Sequence, residues 1–215
     1  MRLPSCQRLL VYGGTFDPPH VAHLILPRLA AEALHADLIA YIPAAQPPHK
    51  LGQPHTPGPH RLAMLRLALA GCPDCLILTD ELERAKTHPS RPSYTVDTLE
   101  GLRAALPAST AIHLLIGSDQ LRIFPTWHRV QRLVELADPA VMVRPPDSPE
   151  IVIAGLAPEL AAQRELWRTR LLPLPQLDIS ASAIRRRILH QLPITGLVDP
   201  GVADYIRRHG LYGQR

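Results

Sequence analysis

The chain has 215 residues, a formal net charge of +4, 46% hydrophobic residues and 20% charged residues. These values are ordinary for a globular protein, and the length suits one well-cored domain. No apolar run approaches the roughly 20 residues that a membrane span needs, and the first six residues lack the apolar stretch of a signal peptide. We therefore expect a cytoplasmic protein with no membrane partner.

The basic residues are scattered, and their one dense cluster is Arg185-Arg186-Arg187. This distribution does not favour nucleic acid as a partner. Among the 23 basic residues only Lys50 and Lys86 are lysines. Because the chain otherwise prefers arginine, Lys50 is a candidate for a place where a compact ammonium group is needed.

Three cysteines, Cys6, Cys72 and Cys75, argue against a disulfide framework in a chain without an export signal. Cys72 and Cys75 have the C-x-x-C spacing of zinc and redox sites. A zinc site would need a second ligand pair, and a redox motif would normally precede a helix rather than a strand pattern. We expect free thiols in a loop.

Strand-like and helix-like segments alternate along the chain. In chain order we predict a strand at 9–12, a helix at 21–35, a strand at 37–43, a proline-rich loop at 44–59, a helix at 60–70, a strand at 76–79, a polar loop at 81–92, a helix at 93–106, a strand at 111–116, a helical stretch to 137 interrupted by Pro125, a strand at 140–143, helix 159–168, a short strand at 171–174 and helices at 183–191 and 201–208. This alternation predicts a doubly wound α/β fold with a parallel sheet. We expect one domain over 1–215, with a mostly helical part from about residue 179.

The stretch from Val11 to His23 is the strongest functional signal. A glycine turn at Gly13 and Gly14 lets a ligand approach the backbone, and the N–H groups and dipole of the following helix attract an anion. His20 and His23 lie three residues apart, so they can offer two donors on one helical face. We interpret the stretch as a phosphate cradle. The alternatives are a tight turn with two surface histidines or a zinc site, for which no third ligand lies close in sequence.

Three further segments are candidates for the same site. The loop at 44–59 carries Lys50, and we place it at the mouth of the site. Asp119 follows a strand end, where open parallel sheets bind ligands. Ser180 and Ser182 precede a basic helix, whose start is a second anion-binding candidate.

These pieces resemble a known family in their order and spacing. The histidine block, Pro47-Pro48-His49-Lys50, Ser93 to Leu99, Gly117-Ser118-Asp119 with Trp127-His128, Ile179 to Arg185 and the ending Leu211-Tyr212 are similar to the nucleotidyltransferase superfamily with a His-x-Gly-His motif, and in particular to the bacterial nicotinate-nucleotide adenylyltransferases. Two positions depart from the family pattern. Ala22 replaces the glycine between the histidines, and Ala181 replaces a hydroxyl residue.

The resemblance implies a Rossmann-like fold and a reaction in which the phosphate of nicotinate mononucleotide attacks the α-phosphorus of ATP. It implies Mg²⁺ as cofactor, held mainly through the ATP phosphates rather than by protein ligands. By the same resemblance the catalytic residues are His20 and His23. The expected ATP and phosphate contacts are Gly13, Gly14, Thr15, Lys50, Gly117, Asp119, Ser180, Ser182 and Arg185, and the expected contacts to nicotinate mononucleotide are Phe16, Tyr94, Thr95 and Trp127.

Two other interpretations stay open from the sequence. The chain could be a sister enzyme, such as pantetheine-phosphate adenylyltransferase or a cytidylyltransferase, because these share the cradle. It could instead be a nucleotide-binding or nucleic-acid-binding module without catalysis. The sequence is compatible with a homo-oligomer, and with either a strict or a loose preference for the acid over the amide substrate.

Overall fold

The computed structural model describes residues 4–46, 55–89 and 91–213 and contains one parallel sheet of six strands. The strands stand in the order β3-β2-β1-β4-β5-β6, so the order reverses between the neighbours β1 and β4. This confirms the predicted doubly wound α/β fold. The strands are β1 (Arg8–Gly14), β2 (Leu38–Pro43), β3 (Cys75–Ile77), β4 (Ala111–Gly117), β5 (Asp138–Met142) and β6 (Leu171–Leu172).

Helices cover both faces of the sheet. They are α1 (Val21–Leu34), α2 (Gly58–Ala68), α3 (Asp80–Thr87), α4 (Thr95–Ala105), α5 (Ser118–Leu121), α6 (Val130–Leu136), α7 (Pro149–Ala154), α8 (Pro158–Ala161), α9 (Arg164–Arg170), α10 (Ala181–Leu189) and α11 (Pro200–Arg208), with a 3-10 helix at Phe124–Thr126. None of the helices in the described ranges is long and apolar enough to cross a membrane.

The central strand β1 supplies side chains to two separate hydrophobic clusters. Leu9 and Val11 pack with α4, α6, α7 and α9 on one face, whereas Leu10 and Tyr12 pack with α1 and α2 on the other. The alternation follows from the two-residue period of a strand. Since both faces are covered, β1 is apolar throughout its middle, as a central parallel strand requires.

The predicted loop at 81–92 is wrong over its first part, because α3 forms at Asp80–Thr87. Only Glu81 and Leu82 of this helix are buried, so its sequence shows no apolar periodicity that would predict a helix. Charged residues at its two ends stabilise it instead. Acidic residues occupy its first turn and Arg84 and Lys86 its last, which suits the helix dipole.

The expectation of free thiols at Cys72 and Cys75 is also wrong, because the two form a disulfide. The chain turns tightly between α2 and β3, and the N–H of Cys75 donates to the carbonyl of Cys72 at 3.3 Å. This turn brings the two Cα atoms to 5.3 Å, within the range that a disulfide can bridge.

The two C-terminal helices pack against α2 rather than on the sheet. Ile184 of α10 and Val202 and Ile206 of α11 form a third hydrophobic cluster with Met64 of α2. The backbone N–H of Val21, the first residue of α1, donates to the carbonyl of Leu197 at 3.0 Å. The segment before α11 therefore contacts the start of α1.

Candidate active site

A cavity of about 750 Å³ lies at the carboxyl ends of β1, β4 and β5. This is the edge at which open parallel sheets bind ligands, next to the point where the strand order reverses. Thirteen of the residues predicted for the site line it. They are Gly13, Gly14, Thr15, His20, His23, Tyr94, Thr95, Gly117, Asp119, Trp127, Ser180, Ser182 and Arg185.

Phe16 and Lys50 are the two predicted residues that the structure does not place on the cavity wall. Phe16 is 1% exposed, and its ring packs edge-on against Tyr12 at 5.8 Å and against His23 at 5.1 Å. It therefore supports the cradle from behind, and a mononucleotide would not reach its ring. Lys50 lies outside the described residues.

The cradle differs in detail from a glycine turn. β1 continues through Gly13 and Gly14, which pair with Ile42 and Pro43 of β2, so the turn starts at Thr15. A Cβ on Gly14 would lie 3.0 Å from the Phe16 ring, whereas a Cβ on Gly13 would meet no atom within 4 Å. A side chain at position 14 would therefore force the Phe16 ring to shift, whereas Gly13 leaves the cavity wall open.

His20 and His23 stand together at the start of α1. Their rings are stacked with centroids 3.6 Å apart, and the backbone N–H of His20 donates to Nδ1 of His23 at 3.3 Å. Because Nδ1 of His23 accepts this bond, the neutral ring carries its proton on Nε2. His23 can therefore donate through Nε2 while its other nitrogen is held by the backbone.

His20 is 4% exposed, and its Nδ1 has no hydrogen-bond partner among the described residues. Burial, with a smaller contribution from the positive charge of Arg144, lowers the pKa of His20 to about 4. The ring is therefore neutral at pH 7. A buried, neutral imidazole on a cavity wall is a candidate contact for a polar ligand.

Arg144 is a cavity residue that the sequence interpretation missed. It follows β5, it lies 3.8 Å from the Asp119 carboxylate, and it interacts with the Tyr12 hydroxyl. A Cβ on Gly117 would overlap the Asp119 carboxylate and lie 3.0 Å from Nε of Arg144, so a side chain here would displace these two charged groups. The available signal was an arginine directly after a buried strand, at the ligand-binding edge of the sheet.

The start of α10 forms a second wall. Ser180 caps the helix, its Oγ accepting from the N–H of Ala183 at 3.2 Å, and Ser182 accepts from Arg185 at 3.3 Å. The other arm of Arg185 donates to the carbonyl of Asp17 at 2.7 Å. Two helix starts, α1 and α10, therefore face one cavity and are joined by one arginine.

The two departures from the family pattern lie in different settings. Ala181 is the first residue of α10 and lines the cavity, so it offers only its backbone there. Ala22 is 6% exposed and packs with Leu26 and Ala30 in the cluster behind α1. It does not line the main cavity, and it borders a small adjoining pocket together with His20, His23 and Arg144.

Aromatic rings form the far end of the cavity. The Tyr94 ring is stacked on His128 at 4.2 Å, and Trp127 lies beside Phe124 at 5.4 Å. The N-cap residue of α4, Tyr94, makes no capping hydrogen bond with its side chain, and the helix starts at Thr95. Ser93, just before Tyr94, exchanges two hydrogen bonds with the backbone of Gln46, its N–H donating at 2.9 Å and its Oγ accepting at 3.2 Å.

Glu81 of α3 is a second cavity residue that was missed, because its segment was predicted to be a loop. Its side chain is buried, Oε1 accepts from Thr98 at 3.3 Å, and Oε2 has no partner among the described residues. Burial raises the pKa of Glu81, against the opposing effects of Arg84, Ser93 and Thr98.

Within the described ranges there is no group of three or more His, Cys, Asp or Glu side chains that could hold a metal ion. Asp119 lines the cavity with its side chain 50% exposed. One accessible carboxylate fits a Mg²⁺ ion that arrives on substrate phosphates, since such an ion needs only one or two protein carboxylates.

Residues 11–187 match the model of the cytidylyltransferase-like family. A relative from Thermomicrobium roseum, named "Probable nicotinate-nucleotide adenylyltransferase", is 42% identical over 205 residues, which are 95% of this chain and 91% of the relative. The chain belongs to the nicotinate-nucleotide adenylyltransferases of the cytidylyltransferase-like family.

Further comparisons agree with this nicotinate-nucleotide adenylyltransferase family. A relative of the same name from Bordetella petrii is 42% identical over 96% of this chain and 99% of its own length. A solved structure of Plasmodium falciparum nicotinic acid mononucleotide adenylyltransferase complexed with NaAD superposes with a TM-score of 0.70 at 17% identity, covering 95% of this chain and 97% of that chain. At this identity the superposition supports the fold, and it confirms the Rossmann-like prediction.

Proposed function

We propose that this protein transfers the adenylyl group of ATP to nicotinate mononucleotide, giving nicotinate adenine dinucleotide and pyrophosphate in NAD biosynthesis. The observation that carries the proposal is the stacked His20–His23 pair at the start of α1, facing a cavity whose far end is lined by Tyr94 and Trp127. Relatives that are 42% identical over almost the whole chain bear the name of this activity.

The reaction is a displacement at phosphorus. An oxygen of the mononucleotide phosphate forms a bond to the α-phosphorus of ATP, and the bond to the bridging oxygen breaks, so that pyrophosphate leaves with the electron pair. Such a transfer needs alignment of the two phosphates and stabilisation of growing negative charge rather than a covalent intermediate.

The histidine pair supplies fixed donors for that charge. His23 donates through Nε2, because its Nδ1 is held by the backbone of His20. His20 is neutral and buried, so it enters the reaction as a donor that needs no rearrangement of water. The positive end of the α1 dipole acts in the same direction.

The outer phosphates of ATP belong, in this proposal, to the α10 wall. Ser180, Ser182 and Arg185 stand at its start, and Arg144 lies across the cavity beside Asp119. Both arginines can accept part of the charge of the triphosphate through charge-assisted hydrogen bonds. The predicted role of Lys50 stays a prediction.

We further propose that Mg²⁺ is bound with ATP, with Asp119 as the accessible carboxylate beside it. When bound, the ion would neutralise charge on the β- and γ-phosphates of the leaving group. Arg144 and Arg185 then orient those phosphates from the two sides of the cavity.

The pyridine ring of the mononucleotide is assigned to the aromatic end. Tyr94 and Trp127 offer rings for stacking, and the uncapped start of α4 at Thr95 offers N–H groups to a carboxylate. A substrate without a pyridine ring would leave this wall unfilled, which disfavours the sister adenylyl- and cytidylyltransferases.

The test is pyrophosphate release by the purified chain with ATP and Mg²⁺, using nicotinate mononucleotide, nicotinamide mononucleotide or phosphopantetheine as the acceptor. We expect fast release with the acid, slower release with the amide and none with phosphopantetheine. Release only with phosphopantetheine would establish the sister activity. If none of the three acceptors supported pyrophosphate release, the chain would be a nucleotide-binding module without this catalysis. A cytoplasmic location and the oligomeric state stay predictions.

A further inference from the structure

The cradle turn at 15–18 is held by a group of side chains from distant parts of the chain. Arg61 of α2, which is 2% exposed, donates through Nη1 to the carbonyl of Thr15 at 2.7 Å and through Nε to the carbonyl of Thr56 at 2.9 Å. Arg185 of α10 donates to the carbonyl of Asp17 at 2.7 Å. Two arginines therefore fix two successive parts of one turn.

The Asp17 carboxylate lies between these arginines and is 4% exposed. Its Oδ1 accepts from the Tyr212 hydroxyl at 2.6 Å, and its Oδ2 accepts from the N–H of Thr56 at 3.2 Å. Both oxygens are thus engaged by the protein. Although Asp17 touches the cavity wall, its carboxylate acts on the position of the turn rather than as a ligand.

Tyr212 is well suited to be a permanent donor in this group. Burial and the neighbouring Asp17 raise the pKa of Tyr212, so the phenol keeps its proton across the working pH range. Its φ is +64°, in the left-handed region that is unfavourable for a side-chain-bearing residue. Such a conformation persists where surrounding contacts impose it, here the bond to Asp17.

We propose that Tyr212 is a positioning residue for adenylyl transfer, which through Asp17 sets the place of Arg185 on the phosphate-binding wall. The inference rests on the proposed function, because it takes Arg185 to hold the outer phosphates of ATP. The chain of contacts is Tyr212 hydroxyl, Asp17 carboxylate, Asp17 carbonyl and Arg185 guanidinium. Tyr212 itself would touch no substrate.

The experiment compares Tyr212→Phe with Tyr205→Phe in steady-state kinetics. Tyr205 is a matched control, since its hydroxyl also forms one partly buried side-chain hydrogen bond, to His60 at 2.9 Å, and Tyr205 does not line the cavity. We expect Tyr212→Phe to raise the KM for ATP about 10-fold and to leave the KM for the mononucleotide and kcat within about 3-fold. Tyr205→Phe should leave all three unchanged.

A double-mutant cycle tests whether the effect passes through Arg185. In an Arg185→Ala background, Tyr212→Phe should cause no further rise in the KM for ATP, because the group that it positions is already gone. Additive effects, an unchanged KM in the single variant, or a loss confined to kcat would each overturn the proposal. Asp17→Ala removes the acceptor of the Tyr212 hydroxyl and should reproduce Tyr212→Phe, so it serves as the second variant if Tyr212→Phe folds poorly.

Calorimetric binding of a non-hydrolysable ATP analogue separates this proposal from the proposed function. If the wild-type chain released no pyrophosphate with any acceptor, the reaction assignment would fail. The positioning proposal would still predict an affinity for the analogue about 10-fold lower in Tyr212→Phe and unchanged in Tyr205→Phe. Equal affinities in the two variants would overturn it independently.

Discussion

Two helix starts face the same cavity, and they are built in opposite ways. At α1 the N-cap residue His20 is 4% exposed, its ring is stacked on His23, and the first N–H group of the helix is bonded to Leu197. At α10 the hydroxyl of the N-cap residue Ser180 caps the helix by accepting from the N–H of Ala183, and Ser182 is exposed.

The difference separates two tasks. Hydrogen bonds in a buried, low-dielectric environment gain strength, so the α1 start is suited to the atoms whose charge changes during reaction. Solvent screens the exposed α10 start, so it suits ground-state recognition of the outer phosphates more than stabilisation of the charge that develops during the reaction. We therefore expect substitutions at α1 to lower kcat and substitutions at α10 to raise the KM for ATP.

The largest expected effect is that of His20→Ala on turnover. Removing one preorganised donor should lower kcat by roughly 10²–10³-fold with a modest change in the KM for ATP. Pyrophosphate release measures both constants, and His190→Ala, at the exposed end of α10, is the matched control. A rise in KM at unchanged kcat would mean that α1 has the recognition task as well.

The next effect concerns stability against acid. Because the pKa of His20 is about 4 when folded and 6.5 when unfolded, the unfolded chain binds more protons between these values. This contribution is complete above pH 6.5 and is lost as the pH falls towards 4, in total about 3 kcal/mol.

Denaturant titrations at pH 7 and pH 4 would measure this loss, with His20→Gln as the non-titrating control. The fall in unfolding free energy should be about 3 kcal/mol larger in the wild type than in the variant. An equal fall in both proteins would show that His20 is not buried as a neutral ring. No corresponding histidine stands at the α10 start.

A smaller effect is expected from Arg185→Ala. Loss of a charge-assisted bond to the triphosphate should raise the KM for ATP by roughly 10–30-fold, with less change in kcat. Arg186→Ala is the neighbouring control, because Arg186 is exposed and does not line the cavity. If both arginines behaved alike, general electrostatic attraction would explain the effect better than a placed contact.

The smallest effect is expected from Ala22→Gly, which restores the family pattern. Since the methyl group is packed behind α1, its removal should lower the unfolding free energy by about 0.5–1 kcal/mol. The KM for ATP should change by less than about 2-fold. A clear fall in KM would show that the methyl group crowds the nucleotide, contrary to its position in the structure.

The order of the elements and most of the cavity could be predicted from the sequence, because hydrophobic periodicity and the glycine and proline residues between segments carry that information. Strand runs followed by Gly13 or Gly117 mark the ligand edge, and the histidine spacing marks a helix start. The helix α3 could not be predicted in this way, since charged residues at its ends rather than apolar periodicity stabilise it. Glu81 lies on this helix, so it was not predicted as a cavity residue either.

Other features depend on contacts between residues distant in the sequence. Phe16 appears in the same motif as the site residues, and only its packing against Tyr12 and His23 separates it from them. The hydroxyl of Ser93 is a good cap by type, yet Gln46, 47 residues away, takes it. A local pattern contains neither fact.

The bond between Asp17 and Tyr212 joins residues 195 positions apart. During synthesis at about 5–20 residues per second, roughly 10–40 s separate the emergence of the cradle from that of the tyrosine. A nascent chain can form the early strands and α1 in that interval, but its Asp17 carboxylate lacks the donor that fixes it. Competence to bind ATP tightly should therefore arise late in translation, after α11 has been made.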